Sequence, residues 1–416
     1  MKIQPRAFLK QLFLYAVNNA HPSQCMKSDL PEPPIGKTIV VGAGKASASM
    51  AQTIEKYWNG TLEGLVITRY GHMLPTNKIK VVEASHPVPD EIGLCATKQI
   101  LKMVEPLDNN DLVICLISGG GSSLLTLPSP GISLLDKQSI TQKLLMSGAT
   151  ISEINCVRKH LSIIKGGYLG IKSYPAKLIT LAISDVPGDD PSVIASGPTV
   201  GDPTTLLDAE RILDNYKINP PAHIVEHLKL SKNETPKPED ERLRNSIYKI
   251  IATPSLSLKA ASELVKANGL RSINLGDNLE GDARTMAIKH AKIAKKSAYG
   301  TVLLSGGETT VTVKGNGQGG RNSEYGLALA KELAGAPGIF AIVCDTDGID
   351  GTEDNAGVII TPDSLSRAKN QGLSIELAQE KNDSYNFFRC IDDLVVTGPT
   401  FTNVNDFRAI LILPET

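Results

Sequence analysis

No cysteine pair in the chain has the spacing of a metal or redox motif. Cys25, Cys95, Cys115, Cys156, Cys344 and Cys390 are scattered without a CxxC, and several fall in apolar, strand-like runs. That pattern argues against structural zinc and fits reduced, buried thiols in a cytoplasmic protein. An excess of one charge is also missing: the formal net charge is −1, which leaves no field to capture nucleic acid or an anionic membrane. No apolar run approaches the length needed to span a bilayer. Lys2, Arg6 and Lys10 precede a short apolar run, 12–17, in faint imitation of a signal peptide. Phe8, Leu9, Leu12, Tyr15 and Ala16 keep helical spacing there, which predicts an amphipathic first helix instead. With 416 residues, 41% of them apolar, the chain exceeds one small core, and two domains are expected.

Two nucleotide motifs are nearly present and fail on particular residues. In TIVVGAGKASASMAQTIEKYW (38–58) a buried strand enters Gly42-Ala43-Gly44-Lys45 and a helix follows. A strand, glycine turn and helix together place anions at a helix N-terminus. A P-loop would need glycine at Ile39 and a hydroxyl at Ala46; a dinucleotide fingerprint would need glycine or alanine at Ser47 and an acid after strand 65–68. Lys45 is the unusual member, either a solvated surface charge or a phosphate ligand.

What the chain does have is glycine at strand ends. Residues 301–330 hold Ser305-Gly306-Gly307-Glu308 after a short strand, 301–304, then a second glycine cluster that delivers Arg321 onto a helix start. Bare backbone N–H groups and one guanidinium make a plausible anion cradle; a hairpin with glycine turns is the competing reading. A partial twin lies upstream, where strand 112–117 ends in Ser118-Gly119-Gly120-Gly121-Ser122-Ser123. Three glycines and two hydroxyls suit a phosphate chain, and Lys45 could supply the missing charge if the two strands are neighbours in a parallel sheet.

Other candidates follow strands or line one helix. His86 sits in an extended turn after strand 81–84 and before helix 91–104, as readily structural as ligand-binding. On a predicted helix 151–167, Asn155, Arg158, Lys159, Ser162 and Lys165 share a polar face, which is either solvated or a clamp for a carboxylate or phosphate. Strand 177–183 ends in a loop with Asp185 and Asp189, where open α/β sheets bind ligands and hard cations find oxygen; an Asp- and Pro-rich turn without a ligand is the alternative. Asp347 follows strand 339–344 in a loop that is not an EF-hand, because Ile349 occupies a ligand position. The charged, proline-bearing stretch 231–241 reads as an exposed linker and domain boundary.

The segments VGAGKAS (41–47), HPVPD (86–90), SGGGSSLL (118–125), INCVRKHLSIIKGG (154–167), ISDVPGDDPSVIASGPTVGDPTT (183–205), SGGETTVTVKGNGQGGRNSEYGLALA (305–330), CDTDGIDGTEDNAG (344–357) and TGPTFTNVNDF (397–407) resemble the class II glycerate 2-kinase family, whose C-terminal part is the MOFRL domain. The resemblance runs in order over nearly the whole chain. It implies transfer of the γ-phosphate of ATP, with Mg²⁺, to the 2-hydroxyl of D-glycerate, and an α/β fold with the active site in an interdomain cleft. A larger, three-layer Rossmann-like domain would span 1–246, with 386–416 returning to it, and a smaller α/β domain 247–385. By the resemblance Lys45 and Arg321 are active-site residues. With Asp185 they form the expected catalytic set. Gly42, Gly44, Ser118, Gly119, Gly120, Gly121, Ser122, Gly306, Gly307 and Glu308 are expected at the nucleotide. His86, Asn155, Arg158, Lys159 and Asp189 are expected at the acceptor, and Asp185 and Asp347 at the metal. A homodimer is compatible with the sequence. One departure is Phe401, where the family usually has glycine. Relatives also carry the name hydroxypyruvate reductase, a competing activity in which the Gly42 turn would hold NAD(P)H and Arg69 its 2′-phosphate. A non-catalytic sugar- or nucleotide-binding protein is a third reading, one with little use for Lys45, Arg321 and the aspartates together.

Overall fold

The computed structural model describes residues 3–415. It divides into two compact units, one formed by Cys25–Ile251 and the other by the chain from Ala252 onward together with the N-terminal residues up to Gln24. The first is built on six strands: β1 (Thr38–Ala43), β2 (Glu63–Arg69), β3 (Ile79–Ala84), β4 (Leu112–Ile117), β5 (Lys177–Ile183) and β6 (Ser246–Ala252). They lie in the order β3-β2-β1-β4-β5-β6, and the ladders from β3 to β5 are parallel. Every residue of β1 and β4 is buried, as unbroken apolar strands covered on both faces must be. Ile100 and Val104 of the helix Glu91–Val104 pack with Ile39, Val41, Val113 and Cys115 in this core. The chain leaves β1 toward β2 and β3, then crosses back to place β4 on β1's other side. That order makes the β1/β4 junction the topological switch point, where open α/β sheets leave a crevice for ligands.

The second unit carries β7 (Arg271–Asn274), β8 (Leu279–Asp282), β9 (Thr301–Thr310), β10 (Ile339–Asp345), β11 (Gly357–Ile360), β12 (Leu394–Val395) and β13 (Asp406–Ile412) in a mixed sheet. Two expectations fail here. The C-terminal strand does not return to the Rossmann-like sheet: β13 is buried at every residue and finds antiparallel partners on both edges, β9 and β10. The helix Pro5–Ala20 likewise belongs with this unit, where Phe8, Leu9, Leu12 and Phe13 pack with Leu258, Val302, Leu304 and Phe407. Its apolar face includes Phe13 rather than Tyr15, which is 40% exposed.

The predicted linker is also corrected. Residues 231–241 are fastened onto the first unit: Glu234 accepts from Lys237 Nζ at 2.8 Å and Leu206 N–H at 3.0 Å and lies 3.0 Å from His160 Nε2, while Thr235 Oγ1 donates to Asp202 at 3.1 Å. Burial opposes ionisation of Glu234, but these donors outweigh it and bring its pKa down to about 2. The change of unit comes after β6. Three of the cysteines, Cys115, Cys156 and Cys344, are buried as expected, whereas Cys95 and Cys390 are exposed. No helix among the described residues is long and apolar enough to cross a membrane.

Candidate functional site

The turns after β1 and β4 are adjacent, as the sequence required if Lys45 was to serve the second of them. They are tied together by Lys45 N–H donating to Gly119 O at 2.8 Å, Ala46 N–H to Ser118 Oγ at 3.0 Å and Ser118 N–H to Ala43 O at 3.2 Å. Glycine is required for this closeness: a Cβ on Gly44 would lie 2.1 Å from Ser118 Oγ, and one on Gly42 2.0 Å from Leu116 O. The consequence corrects the first cradle. The backbone N–H groups of Lys45 and Ala46, just ahead of the helix Ser47–Tyr57, are spent on the neighbouring turn, and Gly42 and Gly44 serve strand packing and bring Lys45 to the second turn. There Gly120 has φ of 80°, and a Cβ on it would lie 2.9 Å from His86 Cδ2 and 3.5 Å from Lys45 Cγ. Lys45, His86 and Gly120 therefore meet at the carboxyl ends of β1, β3 and β4. Asp90 fixes the His86 turn, accepting from Ser85 N–H at 3.1 Å, Tyr70 Oη at 2.7 Å and Gly93 N–H at 2.9 Å, the last as the cap of the following helix.

The loop after β5 closes the other side. Ala195 and Ser196 both hold left-handed backbone, with φ of 52° and 61°, a cost that concentrates at functional sites. Gly121 makes room for Ala195, because an added Cβ would lie 2.8 Å from that of Ala195. Ser196 Oγ lies 2.9 Å from Ser122 Oγ and donates to Asn155 Oδ1 at 3.1 Å, so Asn155 joins the site through a serine relay. Lys159 does not. The helix ends at His160, and Lys159 turns into the core to donate to Asp202 at 2.6 Å, with both side chains almost fully buried. Arg158 alone of the two faces the pocket beside Ser122 and Ser123. Asp185 lies two residues beyond β5, and Asp189, in left-handed backbone at φ 55°, has a buried Oδ1 with no protein partner.

The second SGG is no cradle either. β9 runs straight through it: Gly306 and Gly307 pair with Phe407 and Asp406 of β13, and Gly307 also pairs with Leu279 of β8. Arg321 does open the helix Arg321–Leu333 as expected, yet that helix's first donors, Asn322 N–H and Ser323 N–H, are taken by Asp350 at 2.9 and 2.7 Å. Arg321 itself donates to Asp406 at 2.8 Å, Asp345 at 2.8 Å and Glu308 at 3.1 Å. Burial opposes its charge, but the three carboxylates outweigh it and hold the guanidinium firmly protonated. Asp347 Oδ1 accepts Ile349 N–H at 2.9 Å and shapes its own loop. Among the described residues no group of three or more His, Cys, Asp or Glu side chains gathers as a metal site, and Asp185 and Asp347 fall in different units.

Sequence reasoning missed Asp350, Asp406, Arg408 and Lys137. Lys137 could have been found, because it falls in register with Ile140 and Leu144 on the buried stripe of the helix Leu134–Met146, an abnormal place for lysine. Phe401, flagged from sequence alone, has φ of 57°, the conformation for which the family's usual glycine is suited.

Comparison with known proteins bears out the fold. Residues 8–229 match the family described as a domain of unknown function (DUF4147), and residues 301–406 match the MOFRL family. A protein of Agrobacterium vitis called putative hydroxypyruvate reductase is 50% identical over 99% of this chain and 95% of its own. The D-glycerate 2-kinase of Thermotoga maritima is 38% identical over 96% of each chain. The crystal structure of the glycerate kinase from that organism superposes with a TM-score of 0.89 at 37% identity, covering 98% of this chain and 100% of that one. With both characteristic regions present in order and near-complete coverage of the kinase relatives, the chain belongs to the DUF4147–MOFRL family of class II glycerate 2-kinases.

Proposed function

We propose that this chain is a glycerate 2-kinase that uses ATP and Mg²⁺. The 2-hydroxyl oxygen of D-glycerate bonds to the γ-phosphorus, the phosphorus–oxygen bond to ADP breaks, and the hydroxyl proton is released. The observation that carries this reading is the junction of the β1 and β4 turns at the sheet's switch point, with Lys45 beside Gly120 and His86. Phosphoryl transfer asks a protein chiefly for positioning and for positive charge on the transferring oxygens. Lys45 supplies that charge, the turn from Ser118 to Ser122 holds the phosphate chain, and His86, Asn155 and Arg158 face the acceptor.

Asp185 would hold Mg²⁺, which prefers one or two carboxylates together with substrate phosphates and would neutralise charge on the phosphate oxygens. The donor set fits: Asp185 stands at a strand's carboxyl end, and the lone buried oxygen of Asp189 would be satisfied by the cation or by a substrate hydroxyl. Asp347, already engaged with Ile349, is not assigned to the metal. Arg321 could receive an anionic ligand by exchanging Glu308, the most exposed of its three partners, while Asp345 and Asp406 keep it aimed.

The hydroxypyruvate reductase reading fares worse on geometry. The Lys45 and Ala46 N–H groups, which a dinucleotide pyrophosphate would need, are already bound to Gly119 and Ser118. The test is ADP release with D-glycerate, ATP and Mg²⁺, run beside NAD(P)H oxidation with hydroxypyruvate. Glycerate-dependent ADP release without NAD(P)H turnover is expected, and the reverse result overturns the proposal.

A further inference from the structure

Beside the Ser122 turn lies a pocket of about 370 Å³ whose lining includes Lys137, Arg158 and Lys165, with Ser122 and Ser123 on one side and Val88 on another, and no carboxylate. Lys137 and Lys165 are 5% and 1% exposed. Their only protein partners among the described residues are carbonyl oxygens: Lys137 Nζ donates to Arg158 O at 3.2 Å, and Lys165 Nζ to Ser122 O at 2.7 Å and Leu125 O at 2.8 Å. Carbonyls solvate an ammonium group without neutralising it. The other lysine and arginine buried among the described residues each have a carboxylate at hand, Lys159 with Asp202 and Arg408 with Asp406.

Three cations crowded at low exposure with no counter-ion are unfavourable unless something else supplies the negative charge. A guanidinium does not give up its proton, so the lysines bear the strain. Burial, then Arg158, brings Lys137 down to about 7, and burial with both neighbours lowers Lys165 well below the ordinary lysine range. The pocket lies near the low end of the ~300–1,000 Å³ usual for small-ligand sites, which suits a compact acid and not a whole nucleotide. Ser122 and Ser123 of its lining belong to the same turn that presents Gly120 to Lys45.

We propose that this pocket is the acceptor site, in which Lys137, Arg158 and Lys165 bind the carboxylate of a small 2-hydroxy acid and leave its hydroxyl directed at the Gly120 turn. The assignment rests on the kinase reading above. It adds Lys137 and Lys165 as specificity-determining residues, and it predicts that an uncharged polyol of the same size is a poor substrate because it leaves the cations unmatched.

The test uses the full chain and two variants, Lys137→Gln and Arg158→Gln, in the ADP-release assay with both substrates varied. Each variant is expected to raise KM for D-glycerate about tenfold or more, with a smaller fall in kcat and KM for ATP within about twofold. Isothermal titration of D-glycerate without nucleotide, at pH 8 in buffers of different ionisation enthalpy, should show proton uptake by the parent protein and less in Lys137→Gln. Removing a cation that has no counter-ion should not destabilise the fold, so melting at or above the parent temperature is expected and separates a binding defect from misfolding. A rise in KM for ATP with KM for glycerate unchanged would assign the pocket to the nucleotide's phosphates and overturn the proposal. Absence of any glycerate-dependent ADP release by the parent protein would overturn the kinase reading itself, while proton-coupled binding of glycerate would still uphold the pocket.

Discussion

Ser118-Gly119-Gly120 and Ser305-Gly306-Gly307 are the same tripeptide after the same kind of apolar run, yet they do opposite things. The first ends β4 and turns, with Gly120 left-handed beneath His86; the second continues β9, its glycines paired on both edges. Local sequence does not make the difference, since glycine allows either conformation. What decides is whether strands arrive on both sides. β8 and β13 reach the second tripeptide and convert a candidate loop into sheet, whereas beyond β4 the neighbouring β1 has itself turned away. A glycine-rich strand end is therefore left open for a ligand only where its neighbours also stop, as they do at a switch point.

The contrast can be broken at several places. Lys45→Ala should lower kcat roughly a hundredfold or more, in line with the ~3 kcal/mol lost when one charge-stabilising donor is removed, while the melting temperature barely moves. Steady-state kinetics beside a thermal melt check both halves, and a change confined to KM for ATP would remove Lys45 from the transferring group. On the other tripeptide the damage should be to folding. Gly307→Ala forces a Cβ to within 2.2 Å of Leu279 O at a φ of 111°, and about 2 kcal/mol or more should be lost in urea unfolding. Gly306→Ala meets nothing nearer than 3.3 Å and should change activity less than twofold or so, whereas Gly120→Ala, crowding His86, should cost about tenfold in kcat/KM.

The acceptor pocket adds a pH dependence of smaller size. Lys137, lowered to about 7 chiefly by burial and then by Arg158, is charged below that pH and neutral above it. KM for glycerate should therefore be flat in acid and rise as pH climbs through 7 to 8, by at most about tenfold per unit, and Lys137→Gln should flatten the profile. Smallest is Phe401→Gly. Left-handed backbone costs a side-chain residue about 1 kcal/mol, but glycine gives back about 0.5–1 kcal/mol in unfolded-state entropy, so stability should shift by less than about 0.5 kcal/mol.

The first sheet was legible because β1 and β4 are buried apolar runs and some of the helices around them carry a start signal, such as Asp90 for Glu91–Val104 and Thr205 for Leu206–Asn215. Within the site, the pairing of the Lys45 turn with the Ser118 turn followed from strand adjacency, and Asn155 and Arg158 followed from their helix face. The misreadings were all of longer range. Lys159 looked equivalent to Arg158 until Asp202, far along the chain, claimed it. Arg321 looked like a free guanidinium until β13 brought Asp406 beside it and β10 brought Asp345. Charge–charge partners across such separations leave no periodic trace, and neither does the choice of sheet for a strand such as β13.

That choice has a consequence for synthesis. Because the helix Pro5–Ala20 and the strand β13 belong to one unit, the unit Cys25–Ile251 is an insertion between the two ends of its neighbour. As the chain emerges from the ribosome, the inserted unit can fold to completion, while Phe8, Leu9, Leu12 and Phe13 still have no strands to cover. The helix Pro5–Ala20 is thus made before the inserted unit but buried after it, and through that interval its apolar stripe stays open to water.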